Sequence, residues 1–309
     1  MIYYVRLLLI LFVTLSFSSA AVAQASEPLV LNVTVTTKDG AVIRGLTLDN
    51  FAVSVEKTPQ QILSLSEREV PASVGILIDT SGSQDTGRSK NALDIQKQFR
   101  QGLEGFFNKS NPANDYFAVA FNSKAEVFQD WTSDYQSILK KLDSLKFGKP
   151  TSMYDALDLA LEKMKTSRNS KQVLILISDG SDNQSKKTFK QVRDKLKSSD
   201  VALYCVALTN AFRLGDVESV PNLEGQSVLD QLTFMSGGRA LFMNNSQGPK
   251  AFSEVFELIA LELRSQYQIV IARPASLAGK ESRKLKITAS RAGTTGRTEQ
   301  LLARTRQSY

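Results

Sequence analysis

Two short apolar runs constrain this chain more than anything else in it. Residues 73–78 and 172–178 each read as a continuous apolar run rather than an alternating one. A strand that is apolar on both faces must be covered on both, and such strands are usually central in a parallel sheet. Amphipathic stretches lie between and after them. Leu93, Phe99, Leu103 and Phe106-Phe107 recur at helical spacing over 89–107, and Leu157, Leu161 and Met164 share one face of 152–166. Helices are also expected over 135–145, 188–196, 227–235 and 251–264. Further strands are expected over 201–208 and 239–243, with 116–122 and 125–131 as a hairpin pair. This alternation predicts an α/β fold, a doubly wound and mostly parallel sheet with helices on both faces.

The flanks read differently. Residues 29–35 alternate, Lys38-Asp39-Gly40 is a turn signal before Val42-Ile43, and strands are expected over 49–55 and over 61–66 after Pro59. Four strands of this length are too few to close a core alone. Beyond Ser265 the chain is β-like again, with 267–272 and 283–290 alternating and split by Pro274 and Gly279. The simplest architecture pairs the two flanks in a small β-sandwich, with the α/β domain inserted between them. The expected division is 1–23, 24–69, 70–266 and 267–309.

Residues 1–23 read as a secretory signal. Arg6 precedes the apolar stretch 7–17, and small residues lead to Ala21-Val22-Ala23, an A-x-A cleavage pattern. The stretch is short for a membrane span and is thinned by Thr14 and Ser16. No later segment is long and apolar enough to span, so the mature chain is expected in the periplasm, at the cell surface or outside the cell. There is no cysteine near the cleavage point for lipid attachment.

Composition removes several kinds of chemistry. The chain has no histidine, which excludes imidazole acid–base catalysis, Ser-His-Asp triads and imidazole metal ligands. Its one cysteine, Cys205, lies in an apolar run and can form neither an internal disulfide nor a thiolate zinc site. The net charge of +7 is concentrated at the end, where 264–309 hold ten Lys/Arg against two Asp/Glu. Aromatic residues are not interleaved with these cations, so the tail reads as a solvated face and not as a nucleic-acid surface.

The first apolar run ends in Asp79-Thr80-Ser81-Gly82-Ser83, and the second leads into Asp179-Gly180. If the two strands are neighbours, both carboxylates face the crevice beyond the carboxyl ends of the sheet. Ser81 and Ser83 stand two apart on a loop whose Gly82 permits a tight path. Thr151, at the start of a helix, adds a third hydroxyl. Two carboxylates and three hydroxyls form an oxygen-only set that suits Mg²⁺, with Mn²⁺ or Ca²⁺ as substitutes. If Asp79 and Asp179 act through water, the direct ligands are neutral and the ion favours an anionic sixth ligand. A carboxylate from another protein is the natural candidate. Asp85 and Asp182 are extra carboxylates nearby that either tilt the site toward Ca²⁺ or cap helices and turns, the second being the simpler reading, and Asp155 is read as a residue of the helix N-terminus.

Asp79, Ser81 and Ser83, then Thr151, then Asp179-Gly180 resemble the metal-ion-dependent adhesion site of von Willebrand factor type A domains, whose pattern is Asp-x-Ser-x-Ser, Thr, Asp-Gly. The resemblance covers about residues 70–266. Gly45-Leu46-Thr47-Leu48-Asp49-Asn50-Phe51, followed by the strand and loop at 73–83, is similar to bacterial exported proteins of this family of acidobacterial type. What this implies is a protein-binding module and not an enzyme. The Ser and Thr hydroxyls contact the ion, the aspartates act through water, and an acidic side chain of a partner completes the shell. In some relatives the last helix, here 251–264, shifts to change affinity. The family usually has glycines before the Thr, whereas this chain has Lys149-Pro150. Two other functions compete with this reading: a subunit of a cell-envelope assembly, and a Mg²⁺-dependent phosphoryl-transfer enzyme. Asp79-Thr80-Ser81 lacks the second carboxylate that the commonest such enzyme motif carries.

Overall fold

The computed structural model describes residues 28–81, 89–148, 150–209, 222–244, 248–273, 284–293 and 297–308. The signal segment 1–23, Ser83, Asp85 and Lys149 lie outside the described residues. The chain begins with β1 (Leu29–Thr36), a 3-10 turn (Leu48–Asn50), β2 (Phe51–Val55), β3 (Thr58–Gln60) and β4 (Ile62–Ser66). An α/β stretch follows: β5 (Ala72–Asp79), α1 (Ser89–Lys109), β6 (Asp115–Phe121), β7 (Ala125–Thr132), α2 (Tyr135–Leu142), α3 (Met153–Met164), β8 (Lys171–Ser178), α4 (Phe189–Lys197), β9 (Ala202–Thr209), α5 (Leu223–Ser236), β10 (Ala240–Asn244) and α6 (Gly248–Arg264). The chain then returns to strands with β11 (Tyr267–Ile271), β12 (Leu285–Ala292) and β13 (Thr298–Arg304).

The α/β stretch forms a six-stranded sheet in the order β10-β9-β8-β5-β6-β7. Every neighbouring pair is parallel except β6 with β7, the expected hairpin. The two apolar runs are β5 and β8, adjacent at the centre of the sheet. All eight residues of β5 are buried, because helices cover both faces. Phe99, Leu103, Phe106, Leu139, Phe252 and Phe256 of α1, α2 and α6 pack on one side. Met153, Leu157, Leu161, Val192, Leu196 and Leu229 of α3, α4 and α5 pack on the other. Each such fully buried side chain stabilises the fold by about 1.5–3 kcal/mol relative to exposure.

The two flanks combine in one seven-stranded antiparallel sheet, β3-β2-β12-β13-β1-β11-β4. β1 is shared, with Leu29–Val33 paired to β11 and Thr34–Thr36 paired to β13. The sheet cannot be flat. β2 and β11 are four strands apart, roughly 19 Å in a flat sheet, yet the rings of Phe51 and Tyr267 meet edge to face at 5.2 Å. β3 and β4, the two edges, are separated only by Gln61. The sheet therefore curls over a single core of inward residues that includes Leu31, Val33, Val53, Ile269 and Leu285. The sandwich expected from the sequence is this one curled sheet.

Three details of the sequence reading change. Val42-Ile43 forms only an isolated bridge, Thr36 with Val42. β3 contains Pro59 and was not expected; as an edge strand it tolerates the missing donor. β13 was not expected either, because Leu301 is its only buried residue and it shows no alternation.

Candidate metal site

The connections reverse direction between β5 and β8. The chain leaves β5 over α1 toward β6 on one side, and leaves β8 over α4 toward β9 on the other. Ligand crevices of open α/β sheets lie at such a reversal, beyond the carboxyl ends of the strands. Asp79 ends β5 and Asp179 follows β8, so both expected carboxylates stand here. The Asp79 side chain is fully buried. Its Oδ1 accepts from the Ser81 N–H at 2.9 Å and its Oδ2 from the Ser178 hydroxyl at 2.7 Å. Burial pushes the Asp79 carboxyl up to about 7, against the pull of the Ser81 and Ser178 hydrogen bonds, and the nearby charge of Asp179 pushes the same way. Asp179 Oδ1 accepts from the Ser181 N–H at 2.9 Å.

Thr151 is bracketed by both loops. Its N–H donates to Asn183 Oδ1 at 2.8 Å, and its carbonyl accepts from the N–H groups of Asn183 and Gln184 at 3.0 and 3.1 Å. The next residue, Ser152, donates its N–H to the Asn122 carbonyl at 2.7 Å. Asn122 follows Phe121, the strand partner of Asp79, and its side-chain amide donates to Thr80 Oγ1 at 3.3 Å. The Gly148 N–H donates to the Thr80 carbonyl at 2.9 Å. Asp79, Ser81, Thr151 and Asp179 are thus brought to one sheet edge, and Ser83 lies outside the described residues. Ser81 and Thr151 are buried, as are both aspartates.

Asp182 is a cap, as expected. It accepts from the Tyr154 N–H at 2.8 Å, in the first turn of α3, and from the Ser185 hydroxyl at 2.6 Å. Asp155 stands in the first turn of α3, as expected, and its carboxylate also accepts from the Lys186 and Lys187 N–H groups at 3.0 and 2.9 Å. Four positioning residues escaped the sequence reading: Ser178, Asn122, Asn183 and Asn222. Asn222 caps α5 by accepting from the Gly225 N–H at 2.9 Å, and its amide donates to the Asp179 carbonyl at 3.2 Å and to Ser181 Oγ at 2.9 Å. Only Ser178 had a local signal, its place beside Asp179 at the end of an apolar strand.

The donor set can be tested against a cation on these grounds. Two carboxylates share a buried crevice, and one is held far above its ordinary range by burial and by the other's charge. Among the described residues no three Asp, Glu or Cys side chains cluster as metal ligands would. The hydroxyls of Ser81 and Thr151 stand at the same end of the sheet, beside amide and carbonyl oxygens that already accept from N–H groups. Such a set fits a single hard divalent cation and does not fit zinc of the thiolate or imidazole type.

An open doubly wound sheet with paired aspartates and hydroxyls at its reversal point defines a ligand-binding α/β domain. Residues 74–181 match the family model of the von Willebrand factor type A domain. The flanking β segments lie outside the match. Similar solved structures include the conserved hypothetical protein BatB from Bacteroides thetaiotaomicron, at 16% identity and TM-score 0.47, over 63% of this chain and 100% of that one. A von Willebrand factor type A protein from Catenulispora acidiphila aligns at 16% identity and TM-score 0.49, over 84% and 72%. Proximal thread matrix protein 1 from the mussel byssus, with a zinc-occupied MIDAS motif, aligns at 18% identity and TM-score 0.47, over 66% of this chain and 48% of its own. These are distant likenesses, and the zinc belongs to the mussel protein. No curated protein matches the sequence.

Proposed function

We propose that the chain is an exported, non-enzymatic protein-binding module that holds Mg²⁺ at the edge of its α/β sheet and grips an acidic side chain of a partner protein there. The observation that carries this reading is the buried pair of carboxylates, Asp79 and Asp179, at neighbouring strand ends. Buried charge of one sign is costly unless it is paired, and a divalent cation pairs both. Ser81, Ser83 and Thr151 would offer their hydroxyls to the ion directly, while Asp79 and Asp179 hold its water ligands. Mn²⁺ or Ca²⁺ would take the same oxygens. The ion contributes positive charge with an open coordination position, and an acidic residue of the partner satisfies both. The chain's own residues orient this shell: Ser178 fixes the Asp79 rotamer, Asn183 fixes Thr151, and Asn222 fixes the backbone after Asp179.

The expected course for the rest of the chain is cleavage after Ala23, with residues 24–69 and 267–309 forming one β module and 70–266 the binding domain. Among the described residues no helix is long and apolar enough to cross a membrane. Calorimetric titration with Mg²⁺, Mn²⁺ and Ca²⁺ tests the reading. Saturable binding to the wild type that is lost in Asp179→Ala and weakened in Ser83→Ala is the expected result. An absence of binding for all three metals would refute it. The phosphoryl-transfer alternative predicts acid-labile phosphate on Asp79 after incubation with acetyl phosphate and Mg²⁺; none is expected.

A further inference from the structure

The six-stranded sheet has two edge strands, β7 and β10. On β7 the Lys141 ammonium donates to the Phe128 carbonyl at 3.1 Å, and two register shifts interrupt the pairing with β6. Both features blunt an edge. β10 has neither. The Arg239 carbonyl accepts from the Cys205 N–H at 3.0 Å, so alternation turns the backbone polar groups of Leu241 toward β9 and those of Ala240 and Phe242 away from it. Among the described residues nothing hydrogen-bonds to the outward groups of these two. Such an unpaired row is a template for another strand.

Large apolar side chains are exposed beside that edge. Phe242 is 39% exposed. It lies on the sheet face that α5 covers, because Ala240 packs into the cluster holding Leu229 and Leu232 of α5 and side chains alternate along a strand. On α5 itself, Leu223 is 67% and Phe234 66% exposed. They stand eleven residues apart, close to three helical turns, so they share one stripe with roughly 16 Å between them. Ser227 and Asp230 lie between them on that stripe. α5 runs antiparallel to the strands, and its right-handed winding turns the stripe toward the β10 side. Glu224 marks the other flank. Burial raises the Tyr154 phenol of α3, and the charges of Asp182 and Glu224 add to it, so the Glu224 flank faces α4 and α3.

We propose that β10 and α5 form an interface with a second copy of this chain, about a two-fold axis normal to the sheet. Such an interface is isologous, so its surface must complement itself. That of α5 does. With two helices antiparallel about the midpoint of the stripe, Phe234 of each copy meets Leu223 of the other, and each Asp230 carboxylate meets a Ser227 hydroxyl. The Ser227 oxygen accepts from Gln231 Nε2 at 3.2 Å, which leaves its proton to donate. The same axis serves the strand. Ser236 Oγ accepts from the Leu203 N–H at 3.0 Å and sets the end of α5 level with Leu203. From there the midpoint of the stripe is about 11 Å along the helix, and Ala207, the strand partner of Phe242, is about 13 Å along β9. An antiparallel β10 pair centred on Phe242 therefore brings the two α5 helices together in register. The three apolar side chains expose on the order of 300 Å² per copy, against roughly 800 Å² per partner in a standard interface. The two Asp230 carboxylates stand near the axis and oppose association, so the dimer is expected at a Kd of about 1–100 μM.

The test is sedimentation equilibrium of the full chain in EDTA, which removes any metal-bridged contact and keeps the result independent of the metal reading. A monomer–dimer equilibrium is expected, weakened by at least about tenfold in Phe242→Lys and in Phe234→Glu, and tightened by at least about twofold in Asp230→Asn. Phe234→Glu, at an exposed helix position, carries the test if Phe242→Lys does not fold. A short bis-maleimide cross-linker reads the geometry, since the chain's one cysteine, Cys205, is buried. A mixture of Leu223→Cys and Phe234→Cys chains should cross-link, whereas either alone keeps its two added thiols about 16 Å or more apart and should not. The proposal is overturned by a monomer that persists to about 0.5 mM, by a Kd that stays within about twofold in the folded phenylalanine variants, or by cross-linking of either cysteine variant alone as strong as that of the mixture.

Discussion

At the scale of single residues, the groups that carry charge were legible and the groups that aim them were not. Asp79 and Asp179 announce themselves because a carboxylate at the end of an apolar strand has no core role to play. Ser178, Asn122, Asn183 and Asn222 are ordinary polar residues until the register of β5 against β8 and the docking of the 181–188 loop on α3 are known. Ser178 is the clearest case. It stands opposite Asp79 only because Ile78 pairs with Ile177. Ser178→Ala removes the 2.7 Å bond to Asp79 Oδ2, and is expected to weaken Mg²⁺ binding by about three- to tenfold, near 1 kcal/mol. Calorimetry measures this, and an unchanged affinity would remove Ser178 from the site. Gly180 is constrained in another way. Its φ is +82°, and a Cβ there would stand 2.4 Å from the Gly225 carbonyl oxygen. Gly180→Ala should cost about 1–3 kcal/mol, read as a lower thermal midpoint together with lost metal affinity.

At the scale of elements, periodicity found the strands and helices that face a core on regular spacing, and missed those held by something else. β5 and β8 were plain because both of their faces are buried. β13 was missed because it is held by hydrogen bonding between β12 and β1 and buries one side chain. α5 begins at Leu223, four residues before its apolar pattern does, because the capping residue Asn222 and the contact of Gly225 with Gly180 set its start. That cap ties a helix to the loop that follows β8. Asn222→Ala removes the bonds to the Gly225 N–H, the Asp179 carbonyl and Ser181 Oγ together. The expected loss is about 1–2 kcal/mol, with faster hydrogen exchange at Gly225 and at residues 180–181 in the same variant. Faster exchange at Gly225 alone would mean that the cap and the loop are independent.

At the scale of the whole molecule, the sequence suggested an insertion of one module into another but could not show how the two are joined. The seam is polar. Glu262 of α6 is fully buried between Arg239, just before β10, and Arg304 of β13, with contacts of 2.6 and 2.8 Å. These meet ion-pair distance without hydrogen-bond alignment, since neither the carboxylate oxygens nor the contacting guanidinium nitrogens find a hydrogen-bond partner. Removing the acid leaves two arginines buried beside one another, so Glu262→Ala should destabilise by about 3–5 kcal/mol in urea unfolding. Lys171 lies nearby at the foot of β8, and its ammonium donates to the Leu263 carbonyl near the end of α6. Burial depresses the Lys171 pKa from 10.5 to about 8, against the pull of Glu69. Below about pH 8 the lysine is protonated in both the folded and unfolded chain, and the full cost of burying the charge is present. Between about 8 and 10.5 the unfolded chain holds more protons than the folded one, so this group's contribution to stability rises with pH, by an amount on the order of 3 kcal/mol over the whole window. Cys205 acts in the opposite sense, because burial raises its thiol well above 9 and stability is lost once the unfolded thiol ionises. The difference between wild type and Lys171→Met isolates the lysine. Urea unfolding from pH 7 to 10 should show the wild type gaining on the variant above pH 8, and two parallel profiles would mean that the ammonium at the α6 end is solvated after all.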